Sequence, residues 1–107
     1  VYIGRKDFQI KHLGHRIELG EIEAAASAID RIMYNCCLFD SKNEKIILVY
    51  TGDIEEEKVK RFLEDKIQDY MIPAKFIHRD QMIFNINGKV DRKALEQEYL
   101  HESDTTN

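Results

Sequence analysis

The sequence predicts an α+β domain: an N-terminal β-hairpin, then a small sheet of about three strands packed with about three helices. Three observations carry that expectation. Ile22, Ala25, Ala26 and Ile29 recur at helical spacing. Two apolar runs, Met33 to Phe39 and Lys45 to Tyr50, are split by the polar turn Asp40-Ser41-Lys42-Asn43-Glu44. A helix-start signature follows at Gly52-Asp53.

The elements follow in order. Val1 to Gly4 and Phe8 to Lys11 have β character, Gly14-His15 marks a turn, and Arg16 to Leu19 alternates polar with apolar residues. A hairpin from about Phe8 to Glu18 accounts for all of this, with positive φ expected at Gly14. The Ile22–Ile29 stripe is the first helix, and the two apolar runs are antiparallel strands. In the second helix Asp53 is the expected N-cap, with Glu56 completing a capping-box pair and acids filling the first turn. Val59, Phe62, Leu63, Lys66, Ile67 and Tyr70 trace its buried face, and Pro73 is expected to stop it. Ala74 to His78 reads as a third strand, and Met82 to Ile86 as an extended lead into a turn. Asp91 is placed to cap a last helix from Arg92 to Leu100. Helices then cover one or both faces of the sheet. The core is expected from Ile22, Ile29, Leu38, Ile47, Val49, Phe62, Leu63 and Ile77. Residues 1–101 read as one folded unit and 102–107 as a polar, disordered tail.

Composition narrows the function. With 107 residues, 43% hydrophobic and 34% charged, the chain has the makeup of one small soluble globular domain. Sixteen basic against twenty acidic side chains leave a net charge of −4, which argues against a nucleic-acid partner. No apolar run approaches the roughly 20 residues of a membrane span, so no membrane partner is expected. Cys36 and Cys37 are adjacent in an apolar run and cannot staple distant loops; free thiols suit a reducing, cytoplasmic setting. The opening at Val1, without an initiator methionine and without a signal-peptide pattern, reads as a piece of something longer.

Side chains able to carry chemistry are few. His12, His15, His78 and His101 fit no compact metal-ligand spacing, so no metal site is expected. Ser27, Ser41 and Ser103 fall in a helix, a turn and the tail, none with an activating partner nearby in sequence. Glu18, Glu21 and Glu23 near a helix start suit dipole and solvation roles better than acid–base catalysis. Arg5 and Asp7, either side of Lys6, lie on one side of an extended segment, as a solvated pair would. Lys89, within Asn87-Gly88-Lys89-Val90-Asp91-Arg92, sits on an exposed corner between a glycine turn and a capped helix. A lysine after Asn-Gly is also ordinary turn chemistry.

Two blocks change that reading of Lys89. The stretch GRKDFQIKHLGHRIELGEIE, Gly4 to Glu23, resembles the GRxDxQ(I/V)KxxGxRIExxEIE motif of the adenylate-forming enzymes. Gly4, Arg5, Asp7, Gln9, Lys11, Gly14, Arg16, Glu18, Glu21 and Glu23 carry the match. The second block resembles the same superfamily's terminal NGK(V/I)DRKAL motif through Asn87, Gly88, Lys89, Asp91, Arg92 and Leu95. One departure stands out. Where the family often has a Leu-Pro-x-Thr lead-in, this chain reads Met82-Ile83-Phe84-Asn85-Ile86.

The resemblance, which runs from Tyr2 to about Leu100, implies a small C-terminal lobe that closes over a site built mainly by a large N-terminal lobe of the same polypeptide. It implies that Lys89 is the catalytic lysine of acyl-adenylate formation and that Asp7 is the hinge about which the lobe rotates. It implies nucleotide contacts from Arg5 and Tyr2, and places Lys11 and Gly14 on the hairpin that enters the site for thioester formation. ATP and AMP are the implied ligands, with Mg2+ held mainly by the large lobe. The implied acceptor is the phosphopantetheine of a carrier protein, or coenzyme A. Gln9 within Asp7-Phe8-Gln9-Ile10-Lys11 looks like the amino-acid-activating branch, shared by peptide-synthetase adenylation domains and D-alanyl carrier-protein ligases. A rival reading keeps the fold without the chemistry, as a free-standing interaction module.

Overall fold

The computed structural model describes residues 9–12 and 14–100 of the chain. It opens with an antiparallel hairpin of β1 (Gln9–His12) and β2 (His15–Glu18), in which Ile10 faces Ile17 across the pair. Gly14 in the turn has φ +80°, as its sequence setting requires. The hairpin is seated on the body of the domain. Ile17 is buried in the core, and the His15 ring stacks on Tyr70 with centroids 3.7 Å apart.

A three-stranded sheet follows in the order β3 (Ile32–Asp40), β4 (Lys45–Gly52), β5 (Lys75–Arg79). β3 and β4 are antiparallel, joined by the polar turn read from the sequence. Asp40 closes it, its Oδ1 accepting from the Lys42 and Asn43 N–H groups and its Oδ2 from the Asn43 side chain. The Asn43 amide holds the Asp40 carboxyl below its ordinary pKa, outweighing the effect of burial. β5 lies parallel to β4, which requires a crossover, and α2 (Glu56–Lys66) supplies it.

Alternation along the central strand builds two cores. Ile46, Leu48 and Tyr50 of β4 pack with Cys37 of β3 against Leu19, Ile22 and Ala26 of α1 (Leu19–Ser27) and Val59 and Leu63 of α2. Ile47 and Val49 face the other way, with Cys36 and Leu38, against Met82 and Leu95. Leu95 belongs to α3 (Arg92–Tyr99), so helices cover both faces of the sheet. Of the residues expected in the core, Phe62 and Ile77 are only partly buried, and both pack at the margins of these clusters. The free cysteines sit side by side on β3, one in each core.

Two expectations about α2 are corrected. Its N-cap is Glu55, without a side-chain cap bond, and the Asp53–Glu56 capping box does not form. The end of β4 is held instead: the Asp53 N–H donates to the Arg31 carbonyl at 3.2 Å, and the Tyr50 hydroxyl donates to the Ile54 carbonyl at 3.1 Å. These tertiary bonds keep residues 53–55 out of the helix, although Glu56 and Glu57 still place acids in its first turn. At the other end α2 stops at Lys66, well short of Pro73, because Ile67 turns extended. Ile67 and Tyr70 reach the core from outside the helix, Tyr70 from a 3-10 turn at Asp69–Met71. The first helix is similarly shorter than its apolar stripe. Ile29 lies beyond the Ala28 C-cap yet remains buried.

Candidate functional site

The Lys89 turn is a small hairpin of its own. Phe84 and Val90 form an antiparallel bridge, and the Asp91 N–H donates to the Ile83 carbonyl at 2.8 Å. Gly88 has φ +82°, the conformation that closes a short loop of this kind and that glycine adopts without penalty. The segment that departs from the family's lead-in thus pairs directly with the residues after the lysine. Ile83 and Val90 pack on the Leu95 core, which roots the turn in the domain.

Helix α3 is clamped at both ends. At its start Asp91 is the N-cap, its side chain accepting from the Ala94 N–H at 3.0 Å, as the sequence indicated. Arg92 then donates to the Cys37 carbonyl of β3 and to Glu23 Oε2 of α1, the latter at 2.6 Å. Glu23 Oε2 also accepts from the Cys37 N–H at 2.7 Å. Glu23 is therefore not the solvated carboxylate expected from its position near a helix start. It joins the first sequence block to the second across the edge strand. At the far end Arg79 of β5 donates to Glu98 at 2.9 Å and to the Tyr99 hydroxyl at 2.8 Å. The Tyr99 bond is the leading cause that raises the Arg79 pKa.

Lys89 is exposed and takes part in none of the ion pairs among the described residues. Around the turn the surface is apolar. Phe84 meets Tyr34 of β3 edge-on with centroids 4.9 Å apart, both rings nearly half exposed, and Ile86 is 97% exposed. A groove of about 660 Å³ runs beside the turn, lined by Ile10 of the hairpin, Leu19, Phe39, Asn85, Val90 and Arg92 among others. Flanks of both sequence blocks meet there. A second groove of about 580 Å³, bordered by Asp30, Arg31, Lys58 and His78, contains none of the residues that carry the two motif blocks.

Lys11 is exposed on β1, and a Cβ built on Gly14 would meet no atom within 4 Å, so the hairpin tip is open. Tyr2, Arg5 and Asp7 lie outside the described residues, as does the tail 102–107. Among the described residues no three His, Cys, Asp or Glu side chains gather as metal ligands would, and no helix is long and apolar enough to cross a membrane. The residue that sequence reasoning missed is Asn85, whose side chain binds the turn. An Asn two residues before Asn-Gly was the available signal, since Asn side chains commonly cap the backbone two residues on.

Comparison with known proteins agrees with this architecture. No protein-family model matches the chain. It is 38% identical over 101 residues to tyrocidine synthase 3 of Brevibacillus parabrevis, a match spanning 90% of this chain and 2% of that protein. It is 41% identical over 99 residues to bacitracin synthase 1 of Bacillus licheniformis, spanning 88% of this chain and 2% of that one. Among solved structures, Klebsiella oxytoca NpsA in complex with 3-hydroxyanthranilyl-AMSN superposes with TM-score 0.83 at 22% identity, over 90% of this chain and 20% of that chain. ATP-bound MatB from Rhodopseudomonas palustris superposes with TM-score 0.77 at 21% identity, over 90% of this chain and 20% of that chain. The chain thus spans a small fraction of each of these proteins. By sequence the chain is similar to short segments of these synthases, and it shares its fold with part of NpsA and of MatB, as the expected C-terminal subdomain of an adenylate-forming enzyme would.

Proposed function

We propose that this chain is the mobile C-terminal lobe of an ATP-dependent ligase that adenylates a carboxylate, of the amino-acid-activating kind, and then transfers it to a thiol. The observation that carries the proposal is Lys89: a cation on a hairpin rooted in the core, outside every ion pair among the described residues. A fixed positive charge is suited to a carboxylate attacking the α-phosphate of ATP, where negative charge accumulates. The exposed Tyr34, Phe84 and Ile86 around it support insertion of the turn against another lobe, since isolated soluble surfaces seldom cluster large apolar side chains. In this reading Arg5 and Tyr2 contact the nucleotide, and Mg2+ is held mainly by the large lobe. Asp7 is the hinge. Lys11 and Gly14 border the path of a phosphopantetheine arm, from a carrier protein or coenzyme A, once the lobe has turned. Relatives that are long synthetases and a similar fold solved with ATP both favour this reading.

The test is Lys89→Ala in the ligase that carries this chain. Adenylation, read as ATP–pyrophosphate exchange, should fall by about 10²–10³-fold, the scale of losing one preorganised charge contact. Thioester formation from pre-formed adenylate should stay within a few-fold, because the lysine acts in one half-reaction. Equal loss in both steps, or tolerance of the substitution, would favour a structural turn on a non-catalytic module.

A further inference from the structure

Both backbone polar groups of Lys89 are bound by one residue. The Asn85 N–H donates to the Lys89 carbonyl at 2.8 Å, and Asn85 Oδ1 accepts from the Lys89 N–H at 3.1 Å. The same Oδ1 accepts from the Asn87 N–H at 2.8 Å, and the Asn85 carbonyl accepts from the Gly88 N–H at 2.9 Å. Packing contributes little order to the loop itself. Ile86 is almost fully exposed, and no atom lies within 4 Å of where a Gly88 Cβ would stand.

We propose that Asn85 is the positioning residue of the Lys89 turn, its side-chain oxygen setting the direction in which the lysine leaves the backbone. The inference rests on the reading of Lys89 as the adenylating lysine. A lysine side chain is long and flexible, so its ammonium finds a small target only if the Cα–Cβ direction is held. The two backbone bonds of Asn85 close the loop whatever side chain stands there. Only Oδ1 reaches both the Asn87 and Lys89 amides, and so fixes the residues between and including them. Both amides lie at the surface, where water can replace Oδ1. Losing it should therefore loosen the turn without unfolding the domain. Aspartate keeps an acceptor at the same place; alanine removes it.

Asn85→Ala and Asn85→Asp, compared with Lys89→Ala, test this. In the 107-residue chain, Asn85→Ala should speed hydrogen exchange at the Lys89 and Asn87 amides by about tenfold or more, with Asn85→Asp close to the parent. In the ligase, Asn85→Ala should lower adenylation kcat roughly ten- to a hundredfold, the scale of a small misplacement of a catalytic group, with KM for ATP within about twofold. Asn85→Asp should recover most of that loss. If Asn85→Ala keeps full kcat while Lys89→Ala loses it, the positioning role is overturned and the role of Lys89 stands. If neither substitution lowers adenylation, both fail. If Asn85→Ala does not fold, Asn85→Asp decides: parental kcat supports the acceptor role, and a loss despite native folding overturns it.

Discussion

Glu23 and Arg92 form the ion pair that matters most to the position of α3, and it is neither buried nor free, with side-chain exposures of 25% and 18%. Their bonds reach the N–H and the carbonyl of Cys37, so β3, α1 and α3 share one junction. Glu23→Ala takes the carboxylate away from a charged guanidinium and an acceptor away from the Cys37 N–H. It should cost about 1.5–3 kcal/mol of stability, the usual range for hydrogen bonds to charged groups, read by denaturant unfolding. Glu23→Gln keeps an acceptor for the Cys37 N–H and should cost less. Beside this junction, burial pushes the Cys36 thiol up to about 12, Arg92 pulling the other way. The folded protein therefore binds this proton more tightly than the unfolded chain does. The stability that follows is fully present below pH 9 and is lost as pH rises toward 12. Iodoacetamide at pH 8 should leave Cys36 unmodified in the native chain and label it rapidly in urea; fast native labelling would contradict the burial of this thiol.

At the scale of elements, the strand ends decide more than the helix signals do. Gly52 ends β4 with φ +134°, and a Cβ there would lie 2.1 Å from the Arg31 carbonyl. That approach lets the Asp53 N–H reach Arg31, and it is what displaces the start of α2 from the Asp53 cap. Gly52→Ala should cost about 2–4 kcal/mol, from strain and overpacking together, seen as a lowered denaturation midpoint. Gly14→Ala, where nothing lies within 4 Å, should cost only the penalty of its positive φ, roughly 1 kcal/mol. Within α2, Leu63 is fully buried against the sheet. Leu63→Ala should cost about 2–5 kcal/mol, the scale of a core cavity.

At the scale of the whole molecule, two cores lie back to back on one sheet, and they should let the domain fold without an outside surface. The isolated chain should unfold in one cooperative transition and show no ATP–pyrophosphate exchange. Exchange by the 107 residues alone would overturn a site shared between lobes. If the lobe turns about Asp7, then Asp7→Pro, which locks φ near −65° and removes an N–H, should spare one half-reaction and depress the other. Single-turnover assays of adenylation and thioester transfer in the ligase would show this. Parallel losses with a native circular dichroism spectrum would remove the hinge assignment.

The fold class, the order of elements and the family resemblance were legible in the chain itself. Period-two and period-3.6 patterns, the Asp40–Glu44 turn, the Asp91 cap and the two motif blocks are local, and local chemistry enforces them. The boundaries of α2 were not legible, because tertiary bonds from Arg31 and Tyr50 outweigh a capping pair worth about 1 kcal/mol. The parallel pairing of β5 with β4 was not legible either, since partners distant in sequence are chosen by packing on both faces. Nor was the site's support. Lys89 could be picked out by its motif and the Asn85 cap had a local signal, but the Glu23–Arg92 bridge emerges only when folding brings 23, 37 and 92 together. A motif can single out a residue such as Lys89; the long-range contacts that root its turn are made by whatever the fold sets beside it, and only the tertiary structure decides that.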